Sequence, residues 1–254
     1  MSDRRVAVIT GASSGFGVEI ARGLAGHGMR CVLLARREDK LRALAEEIDG
    51  EAEVCDVSDR AAVDAVAARV LERHPALHVL VNNAGIPGRA NFLDGDPERI
   101  EQVMRTNYLG SVWCLRAFLP GLRAGAPADV VNVVSVAGGV AFPPSGPYSA
   151  SKHAQLAFSR ATAAQLRRER IRVHTVKPGF AETEGFPQDW LPRPLQRLVV
   201  GPEEIAAHVL SSLERGRGET TVPWYYAPLG GLQALVPNLF AAVLSRGSRG
   251  STIA

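Results

Sequence analysis

The stretch Val6-Ala7-Val8-Ile9-Thr10-Gly11-Ala12-Ser13-Ser14-Gly15-Phe16-Gly17 decides the fold. Its first five residues form a short β-branched run that suits a strand buried on both faces. The glycine-rich turn comes directly after, and it opens the first helix. Glycines in such a turn permit a tight reversal and a close approach of backbone to a pyrophosphate at the positive end of the helix. Gly11, Ser13, Ser14, Gly15, Phe16 and Gly17 are therefore candidate cofactor contacts. The spacing Gly-x-x-x-Gly-x-Gly departs from the common Gly-x-Gly-x-x-Gly fingerprint. Glycines alone would mark only a strand-to-helix turn; the flanking strand and helix give this one its phosphate chemistry.

Outward from that turn, β-branched runs alternate with helical patterns. Val6–Thr10, Cys31–Ala35, Val79–Val81, Val130–Val134 and Val173–Val176 read as buried strands. Leu41, Leu44, Ala45 and Ile48 fall at i, i+3, i+4 and i+7, as do Val63, Val66, Ala67 and Val70, and Ala154, Ala157, Phe158 and Ala161. This alternation predicts an α/β fold of the Rossmann-like, doubly wound kind: a parallel sheet with helices on both faces and ligands beyond the C-terminal strand ends. No linker or repeat divides residues 1–254, so a single domain is expected. Two segments break the rhythm, a stretch over 180–200 with Phe186, Trp190, Leu191 and Leu195, and an apolar tail over 227–246.

The end of the second strand bears on which dinucleotide fits. An NAD site places an acid about 20 residues past the glycines to accept from the ribose 2′-hydroxyl. Here Leu34-Ala35-Arg36-Arg37 offers two arginines instead. A guanidinium pairs bidentately with a phosphate that an acid would repel. NADP(H) is thus expected over NAD(H), with Arg36 as main contact and Arg37 beside it, although the same pair would also suit the solvated start of a helix. Asp56 has two readings, acceptor for the adenine amine or helix N-cap.

Tyr148 and Lys152 lie four residues apart after Pro147, at the start of a helical pattern. Proline suits a first helical turn, and residues four apart share a face. A cation near a phenol favours the phenolate and lowers its pKa from about 10, which would let Tyr148 exchange a proton with an alcohol oxygen. Such a pair also arises by chance. The wider set of residues gives it weight.

The 254 residues carry 22% charged and 46% hydrophobic side chains and a formal charge of +3, ordinary for a soluble domain. The arginines are scattered, which gives no nucleic-acid footprint. Cys31, Cys55 and Cys114 read as free buried thiols. The histidines lack ligand spacing, so no metal is expected, and His153 points about 100° away from Lys152 on its helix. The N-terminus shows no signal-peptide pattern and no run reaches about 18 apolar residues, so a cytoplasmic protein is expected.

Together these features resemble the short-chain dehydrogenase/reductase family, in its shorter single-domain branch, over about Arg5 to Val222. The motifs are Thr10-Gly-x-x-x-Gly-x-Gly17, Asp56-Val57, Asn82-Asn83-Ala84-Gly85, Asn107, Ser135, Tyr148-x-x-x-Lys152, and Pro178-Gly179 leading to Thr183. The resemblance implies Tyr148 as general acid in carbonyl reduction and base in alcohol oxidation. It implies Lys152 on the nicotinamide ribose, Ser135 on the substrate oxygen, and Asn107 anchoring a water that links Lys152 to solvent. Asn83, Ala84 and Gly85 would line the adenosine-ribose side, with Val57 beside Asp56. Thr183 would orient the nicotinamide carboxamide, next to Pro178, Gly179 and Phe180. Phe180 is bulkier than the family's usual aliphatic residue there.

The expected activity is NADP(H)-dependent hydride transfer to an apolar ketone or aldehyde. Alternatives are alcohol oxidation with NADP⁺ or a non-catalytic NADP(H)-sensing protein. The expected partner is a small carbonyl or alcohol compound, with no nucleic acid and no membrane, in a homodimer or homotetramer. The tail carries no family motif, and packing in the core or on a neighbouring subunit is expected for it.

Overall fold

The computed structural model describes residues 4–88, 91–180 and 199–247. Seven parallel strands form one sheet: β1 (Val6–Thr10), β2 (Arg30–Ala35), β3 (Glu51–Val54), β4 (Val79–Asn82), β5 (Ala128–Val133), β6 (Ile171–Pro178) and β7 (Glu219–Val222). Their order is β3-β2-β1-β4-β5-β6-β7. The chain winds outward from β1 to β3, returns to place β4 on the other side of β1, and winds outward again. A parallel sheet of this order leaves a crevice at the C-terminal ends of β1 and β4, where adjacent connections depart in opposite directions.

Successive β1 residues point to opposite faces, which explains an apolar run without alternation. Ala7 and Ile9 join the layer of α1 (Phe16–Gly26), α2 (Glu38–Glu47) and a later helix, Pro202–Arg215. Val6 and Val8 join the opposite layer, built on α3 (Arg60–Arg73), α5 (Gly110–Ala124) and α6 (Gly146–Leu166). α4 (Pro97–Met104) runs into α5 through a π-helical turn, Arg105–Leu109. The helix Pro202–Arg215 is α7, and α8 (Pro228–Leu235) and α9 (Pro237–Gly247) follow β7.

The five expected strands are present, most with bounds shifted by one or two residues. The two edge strands were not foreseen, because they lack an apolar run. Glu51-Ala52-Glu53-Val54 holds to the sheet by parallel pairing with β2, while Glu53 accepts from Arg69 at 2.7 Å and Arg73 at 2.6 Å on α3. β7 reads Glu219-Thr220-Thr221-Val222 and, among the described residues, pairs only with β6.

The expected faces of α2 and α3 are buried, but the stripe Ala154, Ala157, Phe158 and Ala161 on α6 is exposed or half-buried. The buried face of α6 is instead polar, with Ser151, Lys152, Gln155, Ser159 and Thr162. Asn82 and Asn132 on adjacent strands supply partners for it. Asn82 Nδ2 donates to Asn132 Oδ1 at 2.9 Å, Asn132 Nδ2 donates to Ser159 Oγ at 2.8 Å, and Ser159 and Thr175 hydroxyls share a 2.7 Å bond. A hydrogen-bonded polar face can be buried where an unpartnered one cannot.

Of the two placements expected for the tail, the core or a neighbouring subunit, it does not take the first. α8 touches the loop after β5, where Gln233 Oε1 accepts from Ala141 N–H at 2.8 Å. Its large apolar side chains stay outside: Leu235 is 82% exposed and Leu239 on α9 63%. Among the described residues no single helix is long and apolar enough to cross a membrane. Cys31, Cys55 and Cys114 are free and buried, and burial pushes the Cys31 thiol up to about 12 and that of Cys55 to about 11.

At the β5–β6 end, Asp129 is 3% exposed. Burial pushes its carboxyl up, yet hydrogen bonds from His174 at 2.8 Å and from Arg172 at 2.8 and 3.0 Å outweigh this and hold it below the usual range. Asp129→Ala is expected to lower stability by about 2–4 kcal/mol, since it strands buried His174 and half-exposed Arg172 without their acceptor. A carboxyl depressed by folding stabilises above its ordinary value and loses that contribution as pH falls below about 4. Wild type should therefore lose part of its advantage over Asp129→Ala in denaturant titrations below that pH; an unchanged gap would contradict the ion-pair account.

Candidate active site

A cleft of about 450 Å³ lies across the C-terminal ends of β1, β2, β4 and β5. The glycine turn forms its floor. Gly11 has φ +67°, and a Cβ there would stand 2.8 Å from Ala84 Cα. A Cβ on Gly17 would collide with the Gly11 carbonyl, so the turn closes on itself only without side chains at both positions. Thr10 ties this turn to the end of β4. Its Oγ1 accepts from Asn83 N–H and Ala84 N–H, both at 3.0 Å, and donates to Val81 O at 3.1 Å. Asn83 Nδ2 returns a bond to Thr10 O at 3.0 Å. Asn83 thus stitches two strand ends as well as lining the cleft.

At one end the cleft is lined by Arg36, Arg37, Asp56 and Val57. Arg36 Nη1 stands 3.9 Å from Asp56 Oδ2, beyond hydrogen-bond length, with its side chain 58% exposed. Arg37 turns back onto the glycine loop, where Nε donates to Ser13 Oγ at 3.2 Å and Nη2 to Ser13 O at 3.1 Å. Asp56 does not cap α3. That task falls to Asp59, which accepts from Ala61 and Ala62 N–H, while Asp56 Oδ1 accepts from Ser58 N–H at 2.9 Å and Ser58 Oγ–H at 2.7 Å.

Tyr148 and Lys152 line the opposite end, beside Val133 and Val134. The first turns of α6 place them on one face, with the Lys152 ammonium 5.8 Å from the centre of the Tyr148 ring. The Lys152 side chain lies along the sheet, and its Nζ donates to Val133 O at 3.1 Å and Gln155 Oε1 at 2.7 Å. Burial lowers Lys152 to about 7. Burial also pushes Tyr148 up to about 12, against a hydrogen bond with Ser135 that lowers it. The phenol therefore shifts opposite to the direction expected from sequence. The ammonium donates to a carbonyl and an amide, and desolvation of the phenol dominates.

Ser135 caps the turn after β5, with Oγ accepting from Ala137 N–H at 3.1 Å and reaching Pro178 O at 3.5 Å. Asn107 sits fully buried in the π-helical turn, a distortion frequent at functional sites. Its Oδ1 accepts from Ile86 N–H at 2.8 Å, and its Nδ2 donates to Ile86 O and Ser151 Oγ, both at 3.1 Å. Gly85 lies between: a Cβ on it would sit 3.4 Å from Asn107 Oδ1 and 3.8 Å from Lys152 Nζ.

The cleft lining brings together Gly11, Ser13, Ser14, Gly15, Phe16, Arg36, Arg37, Asp56, Val57, Asn83, Ala84, Gly85, Tyr148 and Lys152. Gly17, Asn107, Ser135, Pro178, Gly179 and Phe180 stand behind or beside that lining. Gly179 N–H donates to Val222 O at 2.7 Å, and the Phe180 ring meets Tyr226 edge-on at 6.0 Å. Thr183, Phe186, Trp190, Leu191 and Leu195 lie outside the described residues. Val200 N–H donates to Phe180 O at 3.0 Å.

Two residues of the site carried no motif, Ser111 and Gln155 beneath Lys152; Thr10 opened the glycine motif, but its bridging role was not foreseen. Gln155 was visible only as a polar residue three places from Lys152 on one helix face.

The model of the short chain dehydrogenase family matches residues 5–190. A Streptomyces coelicolor protein named as a proposed ketoacyl reductase is 37% identical over 188 residues, 71% of this chain and 72% of its own. Dehydrogenase/reductase SDR family member 7B of Xenopus laevis is 32% identical over 94% of this chain and 80% of its own. The chain spans about three fifths of the length of several other relatives, including those from Anopheles gambiae and Danio rerio. Among solved structures, a short chain dehydrogenase/reductase of Burkholderia phymatum with NAD superposes with TM-score 0.83 at 27% identity, covering 93% of this chain and 95% of its own. A single-substitution variant of actinorhodin polyketide ketoreductase with NADPH superposes with TM-score 0.79 at 30% identity, covering 87% of this chain and 97% of its own. The cleft thus sits in a nicotinamide-binding fold, and the chain belongs to the short-chain dehydrogenase/reductase family of oxidoreductases.

Proposed function

We propose that this protein uses NADPH to reduce an apolar ketone or aldehyde, with Tyr148 as the general acid. The observation that carries this reading is one continuous cleft joining Arg36 and Arg37 to Tyr148 and Lys152. The residues present suit the dinucleotide. The glycine turn offers backbone where side chains would collide, and the half-exposed guanidinium of Arg36 stands at the far end, 3.9 Å from Asp56 Oδ2 and not hydrogen-bonded to it. Gly11 to Gly17 would hold the pyrophosphate and Arg36 the 2′-phosphate, with Arg37 bracing the loop through Ser13. Asp56 and Val57 would face the adenine, Asn83 to Gly85 its ribose, and Lys152 the nicotinamide ribose. Pro178, Gly179, Phe180 and Thr183 would bound the nicotinamide.

When bound, the reduced nicotinamide supplies the hydride that the carbonyl carbon accepts. Tyr148 gives its phenolic proton to the carbonyl oxygen. Ser135 hydrogen-bonds the same oxygen as negative charge develops, a preorganised contact worth about 3 kcal/mol of barrier. A phenol that stays protonated throughout the neutral range is available to donate its proton to the carbonyl oxygen. The ketoacyl reductase and ketoreductase names among its relatives agree with a carbonyl substrate. A cytoplasmic homodimer or homotetramer completes the proposal.

Tyr148→Phe is expected to lower kcat/KM for carbonyl reduction by about 10²- to 10⁴-fold while NADPH still quenches the intrinsic fluorescence at similar concentrations. Turnover like wild type would remove Tyr148 from the acid role. Arg36→Ala is expected to weaken NADPH about tenfold or more and NADH hardly at all. Equal losses for the two dinucleotides would refute the 2′-phosphate contact.

A further inference from the structure

We propose that Gln155 is a positioning residue for Lys152: its side-chain amide, locked by Ser111, aims the buried ammonium and favours its charged form without an opposing carboxylate. The proposal rests on Lys152 being the residue that faces the cofactor.

Lys152 is 3% exposed and Gln155 and Asn107 are 0% exposed, with Ser111 at 4%. Among the described residues no carboxylate pairs with the Lys152 ammonium. Two of its three donors are used, one on Val133 O of β5 at 3.1 Å and one on Gln155 Oε1 at 2.7 Å. The shorter bond goes to the amide. That amide has a defined orientation, because Gln155 Nε2 donates to Ser111 Oγ at 2.9 Å and Ser111 Oγ–H in turn reaches Asn107 O at 3.4 Å. A flipped amide would set its NH₂ against the ammonium and its carbonyl oxygen against a hydroxyl whose proton is already placed. The network therefore has one direction, from Lys152 through Gln155 and Ser111 to the backbone of the π-helical turn.

The resemblance to the family implies a water on Asn107 that links Lys152 to solvent; Gln155 and Ser111 form a separate, buried path from Lys152 to the Asn107 carbonyl. An acceptor on a charged donor stabilises the charged form, here against a burial that opposes it. A neutral amide does so without cancelling the charge, so the protonated form of Lys152 presents an uncompensated positive charge to the cleft. A carboxylate at this position would hold the ammonium more strongly and neutralise it. The groups around Lys152 are Tyr148 on its own helix, with Ser135 beyond it, the Val133 carbonyl from β5, Asn107 from the π-helical turn and Ser111 from α5. Tyr148 is the titratable side chain in contact with it among the described residues.

The chain holds only three lysines, Lys40, Lys152 and Lys177, so their ¹³Cε resonances can be followed individually after selective labelling. This titration needs neither substrate nor turnover. Wild-type Lys152 should titrate near pH 7. Gln155→Leu should lower that midpoint by about one pH unit, and Gln155→Glu should raise it by at least as much, with Lys40 and Lys177 unmoved. The alkaline limb of kcat/KM for carbonyl reduction should shift in the same two directions, and Gln155→Glu should also weaken NADPH. Thermal unfolding identifies any variant that fails to fold, and the other variant then decides. A Lys152 midpoint unchanged in the folded variant, or a loss of rate equal at every pH, would overturn the positioning role. Wild type that titrates as described but turns over no carbonyl compound would instead refute the proposed function and leave the Gln155 inference standing.

Discussion

The hydroxyl of Thr10 holds together the point from which the rest of the molecule opens. β1 pairs with β2 on one side and β4 on the other, and the chain leaves β1 and β4 in different directions. That divergence makes the crevice, and left alone it would expose backbone N–H groups at the end of β4. Thr10 Oγ1 accepts two of them, and Asn83 answers with a bond to Thr10 O. The glycine turn can then lie against Ala84 with backbone in contact with backbone. Each later feature of the site, from the Arg36 end to the Lys152 end, is placed by strands registered from this junction.

A second constraint follows from putting an ammonium under a sheet. Most helices here bury aliphatic stripes, but α6 buries hydroxyls, amides and a lysine. Such a face is stable only if nearly every polar atom finds a partner, since each orphan would cost about 1–3 kcal/mol. Asn82 Nδ2, Asn132, Ser159 and Thr175 satisfy one part of it, with Asn82 Oδ1 left as a buried orphan, and Lys152, Gln155, Ser111 and Asn107 the other. The π-helical turn contributes by placing Asn107 so that its side chain meets Ile86 and its carbonyl meets Ser111. Part of the polarity in this half of the core thus surrounds one buried ammonium.

The opposed shifts of Tyr148 and Lys152 have a common origin. Lys152 is buried and Tyr148 half-buried in the cleft wall, and loss of water disfavours ammonium and phenolate alike. A neutral phenol with a hydroxyl beside it is organised as a proton donor, and a reluctant ammonium beside the cleft gains from any anionic or hydroxyl-rich ligand that it meets. The chemistry is therefore set by what the site withholds as much as by what it provides.

Much of this was legible along the chain. The apolar run Val6–Thr10, the glycines at 11, 15 and 17, the paired arginines after β2 and the Tyr148–Lys152 spacing are local patterns, and local patterns specify strands, turns and shared helix faces. The edge strands β3 and β7 were not legible, because Glu51-Ala52-Glu53-Val54 is a strand by virtue of β2 beside it and arginines above it. The buried face of α6 was misread for the same reason: alanines mark a helix, but the partners on β5 and β6 decide which side is covered. The direction of the Tyr148 shift was missed because sequence shows a nearby cation and not the loss of water around the phenol. The amino-acid sequence by itself determined the fold class, the order of elements and the chemical types present, all of which depend on neighbours a few residues apart. The tertiary structure alone decided which polar groups meet in the core and what burial does to their protons, because those depend on contacts between residues as distant as Ser111 and Gln155.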